Sequence, residues 1–370
     1  MPFPGSQHTD HVSLAYSINQ YIWLTRVIGG LLMLIAFTTV LSANVLIQKI
    51  VTFILILVSA SIIYLTTFVM LADKMFYQPE TKLMKPMKED QIERARLIIG
   101  LDINGDHRAY PIELLAYHHQ VLDTVGGMPV MVTYCSVCRT AMVFKPEVNG
   151  QSEKFRLVGM DQFNAMFEDS RTHSWWRQAT GECCAGPLKG QKLPLIPYRQ
   201  MTLEAWQNLY PTTLVMQPDP KFQKQYDGLR GYDDGTRGGD LTGTDTASFH
   251  PKSWVVILSI DNAEKAYDWN ELRQKDMISD NIGKEPIILV LDTDRRSYYA
   301  FSRKIKDVPL TFTLDKTRNQ LIDSASSSIW DMKGECIEGA YKGQKLSYIN
   351  AYQEFYHSSL TFHPGAVISK

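Results

Sequence analysis

The sequence predicts an α+β, β-rich protein: two tandem pseudo-repeats behind a two-helix transmembrane hairpin. Three observations predict it. Two uncharged apolar runs lie near the N-terminus, a set of residues recurs in order along the rest of the chain, and short apolar segments there are punctuated by Gly and Pro.

From Val27 to Ile47 the chain reads VIGGLLMLIAFTTVLSANVLI without a charge. At ~1.5 Å rise per residue this run crosses a hydrocarbon core of roughly 30 Å. Gln48, Lys49 and Ile50 separate it from a second uncharged run, Val51 to Ala72, which ends at Asp73 and Lys74. The first run is longer than the apolar stretch of a signal peptide and no Ala-x-Ala site follows, so both runs are read as spans that place residues 27–72 in a lipid bilayer. The expected divisions are a tail over 1–26, the hairpin over 27–74, a first repeat over 90–216, a Gly/Asp-rich connector over 217–250 and a second, degenerate repeat over 251–370. Basic residues flanking the spans are few: Arg26, Lys49 and Lys74, then Lys82, Lys85 and Lys88 offset by Glu80, Glu89 and Asp90. They lean towards a cytoplasmic soluble part.

A chain of 370 residues exceeds a single core, in line with two globular units plus an anchor. Its 38 basic and 39 acidic residues nearly cancel and gather into no stripe, so the electrostatic footprint of a nucleic-acid binder is missing. Five cysteines are too few for a disulfide-stapled scaffold.

The repetition is specific. One constant shift carries Ile103 to Ile260, Ala109-Tyr110 to Ala266-Tyr267, Asp123 to Asp280, Gly126 to Gly283, Pro129 to Pro286 and Phe144 to Phe301. A slightly smaller shift carries Gly181-Glu182-Cys183 to Gly334-Glu335-Cys336 and Lys189-Gly190-Gln191-Lys192-Leu193 to Lys342-Gly343-Gln344-Lys345-Leu346. Blocks kept in order point to duplication of one structural unit. Each unit opens with an apolar run, turns, and enters a short helix, as in YPIELLAYHHQVLD. In the first unit the strands VMVTY and TAMVF flank the turn CSVC, the pattern of a hairpin, and a helix near Thr202 to Leu209 closes it. The stretch from Tyr226 to Asp245, dense in Gly and Asp, reads as a connecting loop.

The duplication supplies an internal control for function. Where the first unit has Cys135 and Cys138 the second has Asp292 and Arg295, and His118 maps to Lys275. The three residues are therefore dispensable for the fold, as expected if they serve one site retained by the first unit alone. Two thiolates on a tight turn with His118, and with Met160 and Met166 as further candidate ligands, suit a transition metal: copper if thioether joins, zinc if nitrogen or oxygen does. The same pair suits thiol-disulfide exchange; because TAMVF reads as a strand and not a helix, the scaffold for it differs from thioredoxin. A third reading is a non-catalytic binding module with a structural disulfide. His119 is expected to face solvent, while Cys183, Cys184, Cys336 and the indoles of Trp175, Trp176 and Trp330 are expected in the core. No nucleophile elbow, phosphate loop or dinucleotide fingerprint occurs, and no reaction is named by the sequence.

The segments GDHRAYPIELLAYHHQVLDTVGGMPVMVTYCSVCRTAMVF, HSWWRQATGECCAGPLKGQKL and YPTTLV resemble a bacterial family known only as domain of unknown function three-one-seven-nine. The likeness covers nearly all of the soluble part, including FHPGAVI near the end. That family usually has Cys-Pro-Leu-Cys-Gly where this chain reads Cys135-Ser136-Val137-Cys138-Arg139, and loss of Pro and Gly makes the turn less like a zinc knuckle. Its helix usually carries a His matching His118. Members are often exported or lipid-anchored, so the resemblance implies a bacterial cell-membrane protein with an extracytoplasmic soluble part, and we adopt that placement over the charge count. It implies no activity.

Overall fold

The computed structural model describes residues 5–42, 45–79, 82–261 and 263–369. Ala43 and Asn44 of the expected first span, Glu80 among the flanking charges and the first four residues of the tail lie outside them. Helix α1 (Val12–Gln20) leads into two long apolar helices, α2 (Ile22–Ser42) and α3 (Leu46–Tyr64). A π-helical turn, Leu65–Val69, extends α3, and a short α4 (Ala72–Met75) follows. The segments Ile22–Ser42 and Leu46–Val69 are each long and apolar enough to cross a membrane. The first therefore begins and ends earlier than the sequence pattern suggested. Lys49 sits in the opening turn of α3, and one charge there does not interrupt the helix.

A strand-rich α+β domain of many small sheets follows. Its first half runs β1 (Met84–Pro86), β2 (Leu97–Ile103), β3 (Asp106–Pro111), α5 (Ile112–His118), β4 (Gln120–Val125), β5 (Met128–Cys135) and β6 (Thr140–Phe144), then β7 (Glu147–Val148), β8 (Gln151–Ser152), β9 (Phe155–Asp161), β10 (Asn164–Asp169), β11 (Trp175–Arg177), β12 (Cys183–Ala185), β13 (Arg199–Thr202), α6 (Leu203–Leu209) and β14 (Leu214–Met216). After α7 (Gln223–Asp227) come β15 (Trp254–Ile260), β16 (Ala263–Asp268), α8 (Trp269–Lys275), β17 (Met277–Ile282), β18 (Glu285–Leu291) and β19 (Tyr298–Ser302). The chain closes with β20 (Lys304–Ile305), β21 (Val308–Pro309), β22 (Phe312–Asp315), β23 (Gln320–Asp323), β24 (Ile329–Trp330), β25 (Cys336–Glu338), β26 (Ala351–Phe355), α9 (Tyr356–Phe362) and β27 (Val367–Ser369).

Strand neighbours recur between the halves. The order β14-β3-β2-β13 has its like in β27-β16-β15-β26, with β14·β3 and β16·β27 both parallel; β4-β5-β6 has its like in β17-β18-β19, and β9 to β12 in β22 to β25. The local devices recur too. Helices α5 and α8 both end on a left-handed residue, His119 at φ 57° and Asp276 at φ 62°, which bends the chain into the next strand.

The chain forms two compact units. One holds Met1–Tyr77, Glu153–Arg177 and Gly181–Lys192, and the other holds the remainder of the domain. Within the second, residues of both halves share one core: Ile98, Trp206 and Val215 cluster with Ile288, Phe301 and Trp330. Trp175 and Trp176 are buried with β9 to β12 in the first, so all three indoles lie in cores as expected.

Candidate functional site

The cysteine turn belongs to the second unit. Strands β5 and β6 pair antiparallel up to Cys135 and Thr140, and every residue of VMVTYC and TAMVF is buried. A hairpin buried on both faces brings its turn inside as well: Cys135 and Cys138 are 1% and 0% exposed. All five cysteines are buried thiols.

Three carbonyls of the turn are bonded by groups from beyond residue 226. Ser136 O accepts from the Tyr232 hydroxyl at 2.7 Å, Val137 O from Lys252 Nζ at 2.8 Å, with His357 Nε2 3.2 Å from it, and Cys138 O from the Phe355 amide at 2.9 Å. His357 Nε2 also stands 3.4 Å from Lys252 Nζ, so it donates to the carbonyl in one tautomer and accepts from the ammonium in the other. Burial, then the neighbouring Lys252 ammonium, pushes the His357 imidazole down to about 4. Burial also draws Lys252 below its ordinary range, while the Cys138 and Cys135 sulfurs pull the other way, so the ammonium stands within electrostatic reach of both. Lys252 Nζ further donates to Leu241 O at 2.6 Å, tying the glycine-rich segment to the turn.

Arg139 completes the arrangement. It sits in the left-handed region at φ 59° and is fully buried. Its Nε donates to Gln353 Oε1 at 2.8 Å, Nη1 to Tyr232 O at 3.0 Å and Nη2 to Asp233 O at 2.8 Å, and the guanidinium lies 3.6 Å from the ring centre of Trp254. These acceptors are all neutral. A buried cation so placed raises the local potential and favours any anion formed beside it.

The other expected ligands have these surroundings. His118 is fully buried, with Nε2 2.6 Å from the Tyr226 hydroxyl and its ring edge-on to Phe222 at 5.2 Å. It lines a cavity of about 190 Å³ with Met216, Gln217 and Pro79. Met166 belongs to the first unit, where Cys184 Sγ approaches its sulfur at 3.9 Å, and Met160 is partly exposed. Among the described residues no three His, Cys, Asp or Glu side chains converge to hold a metal ion. His119, expected in solvent, is buried instead: Nδ1 donates to Tyr134 O at 2.8 Å, and burial holds its imidazole down at about 4. The left-handed turn that ends α5 swings this residue inwards against β5, which helix periodicity alone does not reveal. Cys183 and Cys184 are core thiols pushed up by burial to about 11 and about 12.

Lys252, His357, Tyr232 and Arg139 were not singled out from sequence. A signal was present for two of them: by the shifts that align the halves, Lys252 falls opposite Ala95 and His357 opposite Glu204, so both are peculiar to the second half.

The sequence model of a family described as Protein of unknown function (DUF3179) matches residues 78–366. No curated protein and no solved structure matches the chain.

Proposed function

The chain belongs to the DUF3179 family of proteins of unknown function, and we propose that it is a membrane-anchored dithiol protein in which Cys135 and Cys138 exchange two electrons with a disulfide. The observation that carries this reading is the Lys252 ammonium bonded to the cysteine turn at Val137 O, 2.8 Å. A cation there stabilises a thiolate, the species that attacks disulfides. The same cation disfavours a second positive centre, so the donor set falls short of a copper or zinc site: two thiols, a resident ammonium, and His118 engaged by Tyr226.

In the exchange, one cysteine thiolate attacks a sulfur of the partner disulfide, forming a mixed disulfide as one partner thiolate leaves. The other cysteine, as thiolate, attacks the mixed disulfide. The Cys135–Cys138 bond forms, the second partner thiolate departs, and the two protons lost by the cysteines are taken up by the released thiolates. The partner gains two electrons and the dithiol loses two. An oxidising compartment suits this cycle and agrees with an extracytoplasmic domain.

Duplication of an ancestral unit explains why the clamp and the cysteines come from opposite halves. The Phe355 amide of β26 bonds Cys138 O, and at the corresponding place the Thr202 amide of β13 bonds Ser297 Oγ at 2.9 Å. Each half braces the other's turn. One turn kept its sulfurs, and the other, with Asp292 and Asp294, is purely structural on this reading.

The test equilibrates the full chain in lipid nanodiscs with glutathione buffers of graded potential, alkylates, and weighs the products. A reversible two-electron transition, lost in Cys135→Ser and in Cys138→Ser, is expected. Two thiols that stay alkylatable in the most oxidising buffer overturn it, and so does a permanent disulfide. One equivalent of copper or zinc that vanishes in Cys135→Ser would replace the reading with metal binding.

A further inference from the structure

Helix α1 has two different faces. Val12 is buried and Ala15, Tyr16 and Asn19 are half-buried, the three- and four-residue spacing of one helical side. On that side Val12, Ala15 and Tyr16 pack with Met166, Trp175, Cys184 and Ala185, and the Tyr16 ring meets Trp175 edge-on at 5.2 Å. The contact continues ahead of the helix. Gln7 donates to Met160 O at 3.4 Å and accepts from the Phe163 amide at 2.9 Å, and the His8 ring packs on Phe163 at 5.1 Å. The receiving patch is particular to the first half: where Trp175 pairs with Ala185, the corresponding strands pair Ile329 with Glu338.

The other side of α1 carries Leu14, Ile18 and Tyr21, which are 55%, 46% and 61% exposed. Single exposed apolar residues are ordinary, but these three follow at four- and three-residue intervals and form a stripe. The stripe runs without a break into a span, since Tyr21 alone separates Gln20 from Ile22, and Trp23, also exposed, comes next. Tyr and Trp at such a junction are the residues that settle in the headgroup layer. No Lys, Arg, Asp or Glu occurs from Val12 to Gln20.

We infer that α1 is an interfacial adaptor helix: its Leu14, Ile18 and Tyr21 side lies in the headgroup boundary of the bilayer, while its Val12 and Tyr16 side holds Met166, Trp175, Cys184 and Ala185 of β10 to β12. The partner is a lipid surface, bound through apolar area and not through charge. The inference rests on α2 and α3 being membrane spans. It places the N-terminal segment and the Trp175 patch on the same side of the membrane, as a hairpin with an even number of spans requires.

The experiment places single nitroxide labels on the full chain in nanodiscs, at Leu14→Cys and Ile18→Cys, with Thr9→Cys outside the stripe and Leu34→Cys and Leu57→Cys inside the spans. Every labelled chain carries Cys135→Ser and Cys138→Ser, because those two thiols are the ones proposed to react, and the other three native thiols are buried. Labels at 14 and 18 are expected to collide several-fold more with dissolved oxygen than with a water-soluble nickel chelate, and the label at 9 the reverse. The contrast should be equal, within about twofold, in zwitterionic and anionic lipid. Labels at 14 and 18 as open to the chelate as the label at 9, with 34 and 57 protected, overturn the inference alone. Chelate access at 34 and 57 as well shows that the anchor reading has failed and takes the inference with it. Leu14→Gln with Ile18→Gln is the companion variant: it should free α1 from lipid while leaving the Tyr16–Trp175 contact, read as unchanged indole emission.

Discussion

Tyr232, in the segment joining the two halves, donates its hydroxyl proton to the carbonyl oxygen of Ser136, inside the cysteine turn, across 2.7 Å. Both groups are buried, so the carbonyl has no water to fall back on. Tyr232→Phe should cost about 1–3 kcal/mol, the range for leaving one buried acceptor unmet, and should raise the alkylation rate of Cys135 and Cys138 by loosening the turn. Denaturant unfolding and timed alkylation read the two effects. Unchanged alkylation with unchanged stability would show that the connector does not clamp the turn.

Arg139 is fully buried, binds three neutral oxygens and stacks on the half-buried Trp254. Arg139→Met removes the cation but strands Gln353 Oε1 and the carbonyls of Tyr232 and Asp233, and a loss of roughly 3–5 kcal/mol is expected, as for a broken buried charged network. Arg139→Lys keeps the charge and loses the planar fork, so most of the loss should remain. If Lys restores full stability, charge alone matters and the forked geometry does not.

The two long apolar helices, the β-rich domain and the cysteine hairpin were legible because each rests on local pattern: length of apolar run, alternation, and turn residues beside short apolar runs. The recurring blocks were legible as a sequence pattern. The clamp was not legible. Lys252 and His357 lie more than a hundred residues beyond the cysteines they face, and their lack of counterparts at Ala95 and Glu204 does not say what they touch. His118 and His119 show the same limit at short range, since the position of a residue on a seven-residue helix says little when the following left-handed turn decides what it packs against. The connector was legible as a connector only; that Tyr226, Tyr232 and Asp233 are buried follows from tertiary partners in the first half, His118, Ser136, Arg139 and Arg96 among them.

Lys252→Met removes the ammonium beside the two sulfurs. The thiolates lose a stabilising charge, so the pH midpoint of Cys135 and Cys138 alkylation should move up, by about one pH unit for a loss of ~1.4 kcal/mol. Lys252→Arg should move it less. A midpoint that stays put in Lys252→Met would mean that the ammonium does not act on the dithiol.

Gly100 sits in β2 beneath Trp206, and a Cβ built on it would come within 2.4 Å of the indole. Trp206 is fully buried and its Nε1 donates to Thr213 Oγ1 at 2.9 Å, so the ring cannot retreat cheaply. Gly100→Ala should cost about 1–3 kcal/mol by overpacking, seen as a lower denaturation midpoint with unchanged slope. A neutral outcome would place free space beside the ring.

His119 and His357 make acid stability a test of the packing around the site. Both imidazoles are held at about 4, chiefly by burial, against an ordinary value of 6.5. The folded chain keeps them neutral below pH 6.5 while the unfolded chain takes up protons, so their contribution is complete above 6.5 and is lost as pH falls towards 4. Each imidazole contributes a slope of at most about 1.4 kcal/mol per pH unit in that window. Glu354 acts with the opposite sign: burial raises its carboxyl, so what it contributes is present at low pH and is lost as pH rises. Unfolding free energies at pH 7, 6 and 5 should therefore fall faster for the native chain than for His119→Gln or His357→Gln, each of which removes close to one proton from the slope. Parallel slopes in all three proteins would show that neither imidazole is kept neutral by the fold.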